Sequence, residues 1–128
     1  MEKILNYIGG DWHEPLNDKW LDNIDPARGV VYSRIPDSGA ADIDLAVKAA
    51  EKAFPGWRDT PAKERSRIML RVAQLIEERL PELAAAESLD NGKPLKLAQT
   101  VDIPRARDNF AFFATAILHD ESQFHDMG

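Results

Sequence analysis

The chain has 128 residues, enough for one domain with a hydrophobic core, and its 44% hydrophobic and 30% charged residues are an ordinary globular balance. Its net charge of −6 argues against a nucleic-acid partner, because binding phosphates takes clustered lysine and arginine. No apolar stretch approaches the length that spans a bilayer, and the amino terminus is too polar for a secretory signal, so no membrane partner is expected.

The first third of the chain predicts two β-hairpins between residues 4 and 35. In the first hairpin, residues 4–8 turn through Gly9 and Gly10, which tolerate positive φ, and the chain returns along residues 11–13. In the second hairpin, residues 20–24 pair with residues 30–35 across a turn that contains Pro26 and Gly29.

Helices are predicted over residues 42–118. The apolar spacing predicts a first helix over 42–54, ended by Pro55 and Gly56. A second helix begins with Thr60 as its N-cap and Pro61 at its first position, and apolar residues repeat at helical spacing as far as residue 80.

Two further helices follow along the chain. Pro81 starts a helix over 82–90, which Asn91 and Gly92 close. The last helix covers 102–118, with Asp102 as its cap. Residues 1–118 are thus expected to form hairpins (4–35) and helices (42–118), and residues 119–128, which show no period, a tail or linker.

Few residues suggest chemistry. The chain has no cysteine, which excludes disulfides, thiolate metal ligands and a thiolate nucleophile, and favours a cytoplasmic location. The turn at Gly9 and Gly10 leads into a strand, whereas a dinucleotide site needs glycines that open a helix after a strand. The three histidines, His13, His119 and His125, are not spaced as metal ligands.

Two other positions each allow two interpretations. Lys93 follows Asn91 and Gly92, and a helix C-cap explains that segment better than a phosphate site, since helix C-termini repel anions. Asp102 is expected to cap a helix, but a carboxylate there is also able to bind a monovalent cation together with carbonyl oxygens of a turn.

Five segments of the chain, in order, resemble the start of the NAD(P)-dependent aldehyde dehydrogenases. They are Tyr7-Ile8-Gly9-Gly10-Asp11-Trp12, Asp25-Pro26-Ala27-Arg28-Gly29, Asp42-Ile43-Asp44-Leu45-Ala46-Val47, Phe54-Pro55-Gly56-Trp57 and Leu89-Asp90-Asn91-Gly92-Lys93-Pro94. The resemblance covers residues 6 to about 113. It implies an α/β parent fold, related to the Rossmann fold, with a cofactor domain, a catalytic domain and an oligomerisation arm.

The resemblance also implies what these residues lack. The family's cysteine nucleophile, glutamate base and cofactor motifs have no counterpart here, so no catalytic and no cofactor-binding residue is assigned. NAD or NADP is the cofactor of the parent enzyme, and the expected partners are the remainder of the parent polypeptide and further copies in a homo-oligomer. The chain alone is predicted to be inactive.

One ion site of the family does transfer by resemblance. Many members bind a structural sodium or potassium ion, and the matching positions are Asp102 for the carboxylate and Asn23 and Ile24 for carbonyl oxygens. At least one further ligand is expected from the rest of the polypeptide.

The segment from Val101 to Ala114 is most similar to the 2-amino- and 2-hydroxymuconic semialdehyde branch of the family. That branch usually has an arginine after Asn-Phe, a partner for a substrate carboxylate, and this chain has Ala111 there. The substrate is therefore left open. The alternative functions are a non-catalytic truncated relative that acts as a binding or assembly module, and a solitary domain with a new role.

Overall fold

The computed structural model describes residues 1–119. Its strands are β1 (Glu2–Lys3), β2 (Asn6–Ile8), β3 (Asp11–His13), β4 (Trp20–Asp25) and β5 (Val30–Pro36). Its helices are α1 (Ala40–Asp59), α2 (Ala62–Glu78), α3 (Leu80–Asn91), α4 (Leu95–Leu97) and α5 (Ile103–Ala116), with a π-helical turn at Ala98–Asp102 and a 3₁₀ turn at Ile117–His119. The predicted order of two hairpins followed by helices is confirmed.

Both predicted hairpins form, although β2 begins at Asn6, two residues later than predicted. The pairing of β2 with β3 places Tyr7 opposite Trp12, and Gly9 and Gly10 have φ of 65° and 100°. The antiparallel pairing of β4 with β5 closes through a turn in which Gly29 has φ of 68°. Strand β1, which the sequence did not predict, adds to β5 in parallel, so the three-stranded sheet has the order β1-β5-β4.

The predicted end of α1 at Pro55 is wrong, because the helix continues to Asp59. Proline removes one backbone donor but fixes φ near the helical value, so a helix is able to continue past it at the loss of one hydrogen bond. The start of α2 is also shifted by one residue: Pro61, with an extended ψ of 144°, is the N-cap in place of Thr60.

The end of α3 is confirmed. Gly92 has φ of 75° and its N–H donates to the Ser88 carbonyl at 3.0 Å, as expected for a helix closed by glycine. Beyond Pro94 the chain is helical from Leu95, so the predicted start at Asp102 is seven residues late. His119, predicted as tail, ends the 3₁₀ turn, and residues 120–128 lie outside the described residues.

The chain divides into two compact units. The first consists of Met1–Asp59 together with Glu87–Lys93, and the second of residues 60–86 together with the described residues from Pro94 on. Within the second unit α2 packs on α5, and an ion pair joins Glu77 to Arg107. No helix within residues 1–119 is long and apolar enough to cross a membrane.

Candidate functional site

Within residues 1–119, a helix directly follows a strand only where β5 leads into α1. This turn is where a dinucleotide site would have to lie, because such sites use the free N–H groups at a helix start after a strand. The start of α1 is filled by the chain's own carboxylate. Asp42, which is buried, accepts a hydrogen bond from Gly39 N at 2.8 Å and another from Leu16 N at 2.9 Å. The negative side chain therefore takes the place that a phosphate would need.

The other glycine segment is also structural. Gly9 and Gly10 form the hairpin turn between β2 and β3, and a strand, not a helix, follows them. The turn after α3 is held by its own groups: Lys93 N donates to Asn91 Oδ1 at 2.8 Å, and Ser88 Oγ donates to the Lys93 carbonyl at 2.6 Å. The prediction that this segment is a helix C-cap is confirmed.

No group of three or more His, Asp or Glu side chains within residues 1–119 is arranged to hold a metal ion. His13 lies on β3 and His119 on the 3₁₀ turn, and His125 falls outside the described residues. Two arginines of α2 form local surface ion pairs, with Arg67 at 3.1 Å from Glu64 and Arg71 at 3.1 Å from Glu78.

The turn of the second hairpin is organised by Asp25, which is buried. Its Oδ1 accepts a hydrogen bond from Ala27 N at 2.9 Å, and Arg28 Nε donates to its Oδ2 at 2.5 Å. The hydrogen bond from Arg28 is the main reason why the pKa of Asp25 is lowered, and burial opposes it. The carboxylate therefore fixes the turn, as an aspartate before a proline turn often does.

A second polar cluster was not predicted. Asp90, at the end of α3, accepts at Oδ1 a hydrogen bond from the Tyr32 hydroxyl at 2.6 Å and another from Asn23 Nδ2 at 3.0 Å. Asn23 Nδ2 also donates to the Tyr32 hydroxyl at 2.8 Å. The hydrogen bond to Asp90 is the main cause of the raised pKa of Tyr32, and the Tyr32 hydroxyl is the main cause of the lowered pKa of Asp90. Asp90 lies 58 positions after Tyr32 and 67 positions after Asn23, so no sequence spacing could have pointed to this cluster.

The residues of the predicted cation site lie in different elements. Asn23 and Ile24 lie in β4, within the strand predicted over 20–24, and β4 is an edge strand. Neighbouring residues of a strand point their carbonyls in opposite directions, so only one of the two carbonyls faces the open edge of β4. Asp102 ends the π-helical turn with helical φ and ψ and makes no side-chain capping hydrogen bond, so its predicted capping role is wrong. Asn23 and Ile24 belong to the first unit and Asp102 to the second.

Comparison with known proteins assigns the chain to a family. A family model described as "Aldehyde dehydrogenase family" matches residues 12–127. The chain is 49% identical over 124 residues to the 2-aminomuconic semialdehyde dehydrogenase of Bos taurus. The aligned region covers 97% of this chain and 25% of that protein. The chain thus spans about a quarter of the length of the curated relatives that it matches.

Solved structures agree with this assignment. PnpE from Pseudomonas sp. WBC-3 is similar with a TM-score of 0.86 and 39% identity, covering 91% of this chain and 24% of that one. An aldehyde dehydrogenase from Bacillus cereus is similar with a TM-score of 0.93 and 32% identity, covering 99% of this chain and 26% of that one. The sequence motifs, the fold and these similarities together show that the chain belongs to the aldehyde dehydrogenase family.

Proposed function

We propose that this chain is the amino-terminal part of an NAD(P)-dependent aldehyde dehydrogenase and does not catalyse by itself. The parent reaction converts an aldehyde, NAD(P)⁺ and water into a carboxylic acid, NAD(P)H and a proton. The proposal covers aldehydes as a class. Similarity to 2-aminomuconic semialdehyde dehydrogenases supports that branch, whereas Ala111, where the branch usually has an arginine, gives no partner for a substrate carboxylate.

The observation that carries the proposal is the burial pattern. Within residues 1–119 the buried hydrophobic residues are all alanines: Ala73, Ala84, Ala98 and Ala114. Large apolar side chains remain exposed on α1 and α5, among them Ile43, Phe54 and Phe112. Monomeric proteins rarely expose apolar surface on this scale, so these faces are suited to packing against further protein. The remainder of the parent polypeptide is the proposed partner, with homo-oligomerisation of the parent.

The chemistry is assigned to residues beyond this chain. A covalent mechanism needs a nucleophile of lowered pKa, and the chain has no cysteine. Asp42 fills the helix start that follows β5, so the described residues do not fit a cofactor phosphate. NAD or NADP is proposed for the parent, supported by the complex of PnpE with nicotinamide adenine dinucleotide. A cytoplasmic location stays a prediction that rests on the absence of cysteine.

A chimera tests this proposal. Residues 1–128 replace the matching first quarter of the bovine 2-aminomuconic semialdehyde dehydrogenase, and NADH formation is followed at 340 nm beside the unaltered bovine enzyme. We expect the chimera to fold and to oxidise aldehydes, and residues 1–128 alone to show neither turnover nor quenching of NADH fluorescence. Turnover by residues 1–128 alone, or a folded chimera without activity, would contradict the proposal.

The same exposed faces also favour a second candidate, a binding or assembly module that docks onto full-length subunits. Mixing residues 1–128 with the intact bovine enzyme separates the two functions. A stable complex that leaves the enzyme assembled favours the module, whereas no complex favours a segment that packs only within its own polypeptide.

A sodium or potassium site at the predicted positions Asp102, Asn23 and Ile24 also stays a proposal for the parent enzyme, with the Asp102 carboxylate and one of the two strand carbonyls as ligands. It is supported by the position of Asn23 and Ile24 on an edge strand, where one carbonyl faces away from the sheet. In the chimera, Asp102→Ala should lower the melting temperature more in sodium or potassium than in tetramethylammonium, because a bound ion stabilises in proportion to its occupancy. Asp44→Ala is the control. An equal loss in all three salts would leave Asp102 without an ion-binding role.

A further inference from the structure

Tyr32 occupies an irregular position in the second hairpin. Asn23 pairs with Ser33, and the next residue, Ile24, pairs with Val31, so Tyr32 is an extra residue in β5 without an opposite residue in β4. Such a bulge bends the strand and changes the direction of a side chain, and bulges recur where a particular side chain has to be aimed. In this chain the side chain that the bulge carries is the one whose hydroxyl contacts Asp90.

Each hydrogen bond around Asp90 joins a donor to a suitable acceptor. The Tyr32 hydroxyl both donates to the Asp90 carboxylate and accepts from Asn23, and Asn23 donates to both partners. Hydrogen bonds to an ionised acceptor are shorter and stronger than neutral ones, and the 2.6 Å between the Tyr32 and Asp90 oxygens lies in that range. A carboxylate at the end of a helix is disfavoured by the helix dipole, so these two donors compensate for an unfavourable position.

The segment that Asp90 belongs to is already ordered within itself. Asn91 Nδ2 donates to Glu87 Oε1 at 2.6 Å, and Gly92 N donates to the Ser88 carbonyl at 3.0 Å. Residues Glu87–Lys93 are also the only part of the first unit that follows Asp59 in the described chain. The contacts at Asp90 therefore attach the capped end of α3 to the hairpin.

We propose that Asp90, Tyr32 and Asn23 form a latch that holds segment 87–93, the end of α3 and its cap, on the second hairpin, and that the bulge at Tyr32 serves to aim its hydroxyl at Asp90. The Leu89–Pro94 motif, explained by sequence only as a helix end, thus has a second function as the docking element of the first unit. Asn23 acts in the latch through its side chain, which is a separate use from the backbone carbonyl proposed for the cation.

Tyrosine titration reports on the latch directly. The chain has two tyrosines, so Tyr7→Phe leaves Tyr32 as the single phenol and keeps the aromatic ring that contacts Trp12 in a tilted arrangement. In Y7F, Tyr32 should ionise above its ordinary pKa of 10.0, and adding D90N should bring that pKa down. Circular dichroism at each pH monitors whether the helices persist. Ionisation of Tyr32 at its ordinary value in folded Y7F overturns the latch.

Hydrogen exchange near neutral pH gives an independent test on the full 128-residue chain. Y32F and D90A should each speed the exchange of amides in 87–93 by about tenfold or more, since a hydrogen bond to a charged group contributes on that order. The double variant should add little to the larger single effect, because both changes remove the same bond. D44A, on the exposed face of α1, is the matched control. Unchanged exchange in both single variants, or effects that simply multiply, overturns the proposal.

Discussion

Gly92 lies against Pro26 so closely that a Cβ built at position 92 would be 2.8 Å from Pro26 Cγ. Gly92 also has φ of 75°, a backbone conformation that residues with a side chain rarely adopt. Two independent requirements therefore meet at one residue: the left-handed conformation that ends α3, and the close approach of that end to the turn of the second hairpin.

Gly92→Ala should destabilise the first unit by about 1–3 kcal/mol, because backbone strain and the contact with Pro26 add together. Gly29→Ala is the matched control, since Gly29 has φ of 68° but open space around its Cβ position. Hydrogen exchange of residues 20–36 measures both. Equal effects of the two variants would mean that the contact with Pro26 contributes nothing.

Asp42→Ala should loosen the start of α1 and cost about 1–3 kcal/mol, since it leaves the Gly39 and Leu16 N–H groups without their carboxylate partner. Asp44→Ala, two residues further along the same helix and exposed, should change stability little. Local exchange rates at residues 16 and 39–43 distinguish them. If both variants behave alike, the carboxylate of Asp42 does not hold the helix start.

The pH dependence of the second turn follows from Asp25. The pKa of Asp25 is lowered from 3.8 in the folded chain, chiefly by the hydrogen bond from Arg28. The ionised carboxylate therefore contributes its full share of folding stability above pH 3.8, and this share is lost as the pH falls through the lower pKa of the folded state. Arg28→Gln should raise the pKa of Asp25 and move this loss to higher pH. Carboxyl ¹³C chemical shifts of Asp25 measure the pKa. Arg34→Gln, which removes the exposed pair with Asp22, should leave it unchanged.

The isolated chain should self-associate through the apolar face of α1. Ile43, Val47 and Phe54 are 58%, 49% and 57% exposed, and covering apolar surface contributes about 25 cal/mol per Å². Sedimentation velocity should show species larger than a monomer, reduced by Val47→Glu with Phe54→Glu but not by Lys48→Glu. A strict monomer with a sharp cooperative melt at high concentration would be evidence against this prediction.

Sequence reasoning succeeded where structure depends on neighbouring residues. The turn at Gly9 and Gly10 and the helix end at Gly92 were found because each needs positive φ, which glycine supplies at low cost. It failed at Pro55, where a residue that usually stops helices was tolerated inside one. Strand β1 was missed because two polar residues carry no period, and only the neighbouring β5 makes them a strand.

The candidate sites also divide into those that depend on neighbouring residues and those that depend on distant ones. The role of Asp42 had a local signal, an acidic residue three positions after Gly39, which is the spacing of a side chain that reaches back to the helix start. The contacts of Asp90 had none, since they join residues 58 and 67 positions apart. The capping role given to Asp102 failed because Asp102 is the last residue of a π-helical turn, where the helical segment had already begun.

The first unit is discontinuous, since its last seven residues come after a stretch that belongs to the second. During synthesis the two hairpins and α1 therefore emerge before segment 87–93, which completes the first unit. Contacts between distant residues form late, because closing a long loop costs entropy before any contact compensates for it. The order of events in folding should thus run from the hairpin turns to α1 and only then to the docking of residues 87–93, which makes the first unit sensitive to how fast α2 and α3 form.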